Sequence, residues 1–217
     1  MPVQIPDILT QLGEALEIVA KDVRITVGPA SGVSVKTLNR FALDAKPDGS
    51  SALRRGDLAA RQDVAVVFAM RFPPGTAKSA IGASFEVSDA RGALNAPETD
   101  ILWTFADHAA NDAQPRNRDV DHAVATLYAA AARAEALEMN RAGHYADSVQ
   151  RLRLTSDRIA QYAADDPVLS ALIAELRERD VVEHARPMPH ARMKQRSSAN
   201  LSASRMRDES GKAKRQS

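Results

Sequence analysis

Apolar residues recur at helical spacing at the start of the chain. Ile8, Leu9, Leu12, Leu16, Val19 and Ala20 share one face, while Gln11, Glu14, Glu17 and Lys21 share the other. Residues 6–21 are therefore predicted to form one amphipathic helix, with Pro6 in its first turn. The period then drops to two. Val23, Ile25 and Val27 alternate with Arg24 and Thr26, and further strands are predicted over 33–38, 53–58, 63–72, 81–88 and 101–107. Turn signals separate them, among them Gly28-Pro29-Ala30-Ser31-Gly32, Lys46-Pro47-Asp48-Gly49-Ser50 and Pro73-Pro74-Gly75. Five to seven short strands with no helix between them imply an antiparallel β-sandwich rather than a parallel sheet.

After His108 the helical period returns. A polar linker ends at Asn117 or Asp119, either of which can cap a helix running to about Arg141. Its expected apolar stripe is Val120, Val124, Leu127, Ala131 and Ala134, and Gly143 stops it. A second helix over 145–163 turns Val149, Leu152, Ile159 and Tyr162 inward. A third, opened by Asp165-Asp166-Pro167, turns Leu169, Leu172, Ile173 and Leu176 inward. Short loops make these helices antiparallel neighbours. A weak helix over 191–206 follows, and the last ten residues are expected to be disordered. The fold class is thus α+β, with a linker helix over 1–22, a β-sandwich over 23–110, a helical hairpin of about three helices over 111–182, and a basic tail over 183–217.

Composition narrows the chemistry. The 217 residues include no cysteine, which excludes disulfides, thiolate metal sites and cysteine nucleophiles. Aromatics make up only 4%, so the core must be built mostly from Ala, Val, Leu and Ile. No apolar run approaches the roughly 18 residues of a membrane span. The N-terminus has neither the basic start nor the apolar region of a signal peptide, so a cytoplasmic location is expected. The net charge of +1 hides an asymmetry: Arg186–Ser217 holds nine basic residues against Asp208 and Glu209, leaving the body acidic.

No catalytic constellation emerges. The five histidines are scattered, no Gly-x-Ser-x-Gly elbow is present, and Gly28–Gly32 joins two strands instead of cradling a phosphate ahead of a helix. Glu175, Glu178, Asp180 and Glu183 alternate with Arg177 and Arg179 as on a solvated helix face. No catalytic residue, cofactor or metal site is assigned. Arg192, Lys194, Arg196, Arg205 and Arg207 are the candidate anion contacts of the tail, which could reach nucleic acid or an anionic surface. The tail has no aromatic residue for base stacking, and it carries Met188, Met193, Leu201 and Met206, which could instead dock it on the acidic body.

The order of several stretches resembles the C-terminal half of bacterial proteins containing a von Willebrand factor type A (VWA) domain. These stretches are Ile5–Val23, Leu53-Arg54-Arg55-Gly56-Asp57-Leu58 ahead of Val64–Phe72 and Pro73-Pro74-Gly75, Asp119-Val120-Asp121, Asn140-Arg141-Ala142-Gly143-His144-Tyr145, and Ser202-Ala203-Ser204-Arg205. In that family a small β-sandwich and a helical region follow the VWA domain. The metal-binding Asp-x-Ser-x-Ser of the VWA domain is missing, since Asp48-Gly49-Ser50-Ser51 has other spacing, so metal binding is not carried over. The resemblance implies a non-catalytic interaction or scaffolding region. Its partner would be a protein, a VWA domain or a second copy, meeting the apolar stripe Ile8, Leu9, Leu12 and Leu16. Nucleic acid is the weaker candidate partner.

Overall fold

The computed structural model describes residues 18–60, 64–94 and 96–205. They separate into two compact units, 18–60 with 68–114 and 64–67 with 115–205. The chain is α+β, with a mostly antiparallel β unit followed by helices.

The β unit holds seven strands: β1 (Ile18–Pro29), β2 (Ser34–Thr37), β3 (Leu43–Ala45), β4 (Ser51–Ala59), β5 (Phe68–Arg71), β6 (Ala80–Ser88) and β7 (Thr99–Thr104). Five form one sheet in the order β3-β4-β1-β6-β7, with every neighbour antiparallel, and β2 pairs with β5 in a second. Alternation sorts the larger sheet into two faces. Ile25 lies opposite Leu53 and Val87, and Val27 opposite Phe85, on the apolar face. Val23, Val27, Leu53 and Ala83 are buried there. The same face meets the smaller sheet through aromatic pairs. Phe85 reaches Phe68 with centroids 5.7 Å apart, and Trp103 reaches Phe72 at 5.0 Å. Both pairs are tilted, the geometry that contributes about 0.5–1.5 kcal/mol beyond burial. The short helix α1 (His108–Asp112) closes the unit, with Asp107 capping its N-terminus.

The expected helix over residues 6–21 fails where it can be checked. Its last four residues, Ile18–Lys21, open β1, and the remainder lies outside the described residues. The cause is a β-bulge. Between Ala20 and Val23, β1 advances three residues while β4 advances only two, from Leu58 to Gly56. The extra residue is accommodated at Asp22, whose φ is 49° and whose N–H donates to Asp57 Oδ1 at 3.0 Å. Ala20 and Val23 are consequently both buried although three apart. The strand expected over 63–72 is also shorter: only Phe68–Arg71 pairs, and 64–67 is not a strand.

The helical unit contains α2 (Arg118–Arg141), α3 (Tyr145–Ala163), α4 (Pro167–Ala174), a π-helical segment (Glu175–Asp180) running on into α5 (Val181–His184), and α6 (His190–Ser204). Asn117 caps α2 by accepting from the N–H groups of Asp119 and Val120, and Asp119 and Asp121 favour the positive end of its dipole. Gly143, at φ 80°, reverses the chain, and His144 N–H bonds back to the Met139 carbonyl. Asp166 caps α4, and Pro167 occupies its first turn. The core joins Ala125, Ala129, Ala132 and Ala136 of α2 to Leu152 and Ile159 of α3, Leu169 of α4 and Leu176. Of the expected α2 stripe Leu127 is buried, but the buried face otherwise runs through other alanines and Val120 is exposed. Alanines let the helix axes approach closely, so the small residues face the core and the bulkier ones need not. Beyond α5, Met188 and Met193 pack on Leu137 of α2, and α6 is an ordered helix seated on α2.

Candidate interaction surfaces

β7 is an edge of the five-stranded sheet, and its outer side pairs with no strand among the described residues. The direction of its backbone groups follows from two bonds. Ala30 N–H donates to the Gly82 carbonyl at 2.9 Å, which turns Gly82 toward β1, and Phe105 N–H donates to the Ser79 carbonyl at 2.9 Å. Ile81 and Ala83 therefore exchange bonds with their partners Trp103 and Ile101. By the same alternation, the N–H and C=O groups of Asp100, Leu102 and Thr104 point outward along the edge. Ile101 and Trp103 lie on the apolar face. Leu102 lies on the other, against the bare backbone of Gly82, where a Cβ would come within 2.7 Å of its Cδ2. Leu102 is 73% exposed and Ile101 41%.

The helical unit carries a cluster of ions at the junction of α2, the π-helical segment, α5 and α6. Asp180, 1% exposed, accepts from Arg133 Nε at 2.6 Å, and Arg196 Nη2 stands 3.2 Å from its other oxygen. Arg133 also bonds Glu175 at 2.8 Å. Arg192 and Arg196 both bond Glu183. Burial pulls the Glu183 carboxyl upward, but these two guanidiniums outweigh it and hold the group below the usual carboxylate range. Two candidate anion contacts of the tail, Arg192 and Arg196, are therefore engaged with the protein's own acids. Lys194 is exposed on α6, and Arg205 ends that helix. Arg207 and the stripe Ile8, Leu9, Leu12 and Leu16 lie outside the described residues.

The sequence reading placed Glu175 and Asp180 on a solvated face and missed this cluster. In an α-helix, residues five apart point about 140° from each other. The π-helical turn, bonding i to i+5, brings them to one side, where both reach Arg133. Nothing in the local sequence marks that turn.

His184 adjoins the cluster and is 2% exposed. Ser148 Oγ donates to the Ala136 carbonyl at 2.9 Å, so it accepts from His184 Nδ1, 3.0 Å away. Burial pushes the His184 pKa down, and Arg196 adds to this, against the opposing pull of Ala136, Asp180 and Glu183. Folding therefore favours the neutral ring. The stabilisation is complete above the unfolded pKa of about 6.5 and is lost as pH falls below it toward the folded value. Thermal melts at pH 7.5 and 5.5 are expected to show a drop in Tm that is smaller in His184→Gln. An equal drop in both proteins would place the pH sensitivity elsewhere.

Among the described residues no group of three His, Asp or Glu side chains could hold a metal ion. No helix among them is long and apolar enough to cross a membrane. The surface hollows, one over Gly143–Asp147 and another beside Arg116 and Tyr162, are open to solvent.

The described residues thus form an α+β protein, an antiparallel sheet unit with an unpaired outer strand followed by a helical unit. No family profile matches the sequence, and no curated protein matches it. Among solved structures, a chain described as von Willebrand factor type A from Catenulispora acidiphila shares the fold, with a TM-score of 0.50 and 17% identity over 85% of this chain. The likeness is one of fold, and this chain spans 50% of the length of that one.

Proposed function

We propose that this chain is a non-catalytic protein–protein interaction or scaffolding module, an accessory region of a VWA-type protein. The observation that carries the reading is that one fold accounts for 85% of this chain and only half of the C. acidiphila chain. In that protein the shared fold is therefore built to accompany a second half. The stretches resembling the region after a VWA domain, from Ile5–Val23 to Ser202-Ala203-Ser204-Arg205, point the same way. On this reading the seven strands act as a small β-sandwich carrier, the helices as a hairpin-based support, and Ile8, Leu9, Leu12 and Leu16 as the surface meeting the companion domain.

The test is calorimetric titration of the full chain with the unmatched half of the C. acidiphila protein, produced separately. Saturable binding at or below about 100 µM, weakened at least about tenfold by Leu12→Asp with Leu16→Asp, is the expected result. No heat at that concentration would overturn the accessory reading. Binding untouched by the double substitution would remove the stripe from it.

A further inference from the structure

We propose that β7 is a self-association edge, and that two copies of this chain pair antiparallel through it into one continuous sheet. The occupant follows from the strand's own complementarity. Only Asp100, Leu102 and Thr104 present backbone groups outward, so an antiparallel partner must bond to these three positions. A two-fold axis through Leu102 places Leu102 opposite its own copy. It then sets each Asp100 opposite the other copy's Thr104, whose hydroxyl can donate to the carboxylate. On the apolar face the same register puts each Ile101 beside the other copy's Trp103. The segment Asp100-Ile101-Leu102-Trp103-Thr104 is thus nearly its own mirror about Leu102.

Other registers lose this match. Centring on Asp100 opposes two carboxylates, centring on Ile101 sets each Asp100 against Leu102, and centring on Trp103 or Thr104 takes Asp100 away from the Thr104 hydroxyl. A foreign strand has no comparable reason to fit, whereas the copy supplies apolar cover for the two exposed side chains, Leu102 and Ile101. The edge also lacks the usual protection: β7 contains no lysine and no proline, and Asp100 is its single charged residue. A two-fold pair of this kind closes on itself and does not propagate through β7. The proposal does not depend on the accessory role argued above.

Sedimentation of the full chain is expected to show twice the monomer mass. Leu102→Lys, which sets two ammonium groups opposite each other at an exposed position, is expected to raise the dimer Kd at least about 100-fold, with an unchanged thermal melt at dilutions where both proteins are monomeric. The protein has no cysteine, so Leu102→Cys introduces its single thiol. Directly paired residues of this type have Cα atoms about 5.5 Å apart, within disulfide reach. Mild oxidation is expected to link Leu102→Cys into a covalent dimer, while Glu86→Cys, exposed on the same face one strand inward, stays monomeric on a non-reducing gel. A full chain that remains monomeric at about 100 µM overturns the proposal. So does a dimer abolished by Leu12→Asp with Leu16→Asp and untouched by Leu102→Lys, which would assign self-association to the N-terminal stripe.

Discussion

Replacing Asp180 by alanine is expected to lower the free energy of unfolding by about 3–5 kcal/mol, the usual cost of breaking a buried ion pair from one side. Asp180 is 1% exposed and stands between Arg133, bonded at 2.6 Å, and Arg196 at 3.2 Å. Both guanidiniums are themselves largely buried, with side chains 14% and 11% exposed. Removing the carboxylate leaves two desolvated cations facing each other. Glu175 still holds one nitrogen of Arg133 and Glu183 still holds two of Arg196, which places the loss toward the lower end of the range. The cluster also ties four elements together, so the urea midpoint should fall with the slope unchanged. Converting the pair to Arg133→Met with Asp180→Leu should cost less than Asp180→Leu alone, because the central charges leave together while Arg196 keeps Glu183 and Glu175 keeps Arg179. A loss below about 1 kcal/mol for Asp180→Ala would mean that the cluster behaves as a solvated surface network.

Leu152→Ala is expected to cost about 2–5 kcal/mol, read from the same urea transitions. Leu152 is fully buried among Ala129, Ala132 and Ala136 of α2 and Ile159 of its own helix. The alanines of the facing helix have no side chain that can swing into the vacated space. The cavity should therefore persist, and the cost should lie in the upper half of the range. A change below about 1 kcal/mol would show that α2 and α3 can close the gap by moving together.

Both effects rest on features that the sequence displays unevenly. Leu152, Ile159, Leu169 and Leu176 were legible as inward positions because large aliphatics at helical spacing have no other reason to recur. The caps at Asn117 and Asp166 and the stop at Gly143 were legible because each answers a local demand of the backbone. The face of α2 was legible only at Leu127, because alanine carries little hydrophobic signal, and its role there is to permit close approach of a partner that lies elsewhere in the chain. The opening of β1 was misread because Val19 and Ala20 continue the helical spacing of Leu16, whereas what makes them a strand is pairing with the distant β4. A bulge at Asp22 changes the period of a strand locally, and its stabilising bond comes from Asp57, 35 residues away.

Among the candidate sites the pattern is the same. The tail's basic character could be counted, but its engagement could not. Arg192 and Arg196 meet Glu183 only because α6 returns across α2, with Met188 and Met193 on Leu137. The apolar alternation of β7 was visible as Ile101, Trp103 and Phe105. That β7 lies last in the order β3-β4-β1-β6-β7, with Leu102 uncovered, belongs to the sheet.

By itself the sequence determined the α+β class, the turns, the helix ends and the absence of cysteine chemistry, all set by residues within a few positions of one another. Tertiary structure alone decided which alanine face is buried, which charges are paired and which strand edge is left open. Those outcomes depend on contacts between distant segments, and their energies are fixed by burial and by partners that no local pattern encodes.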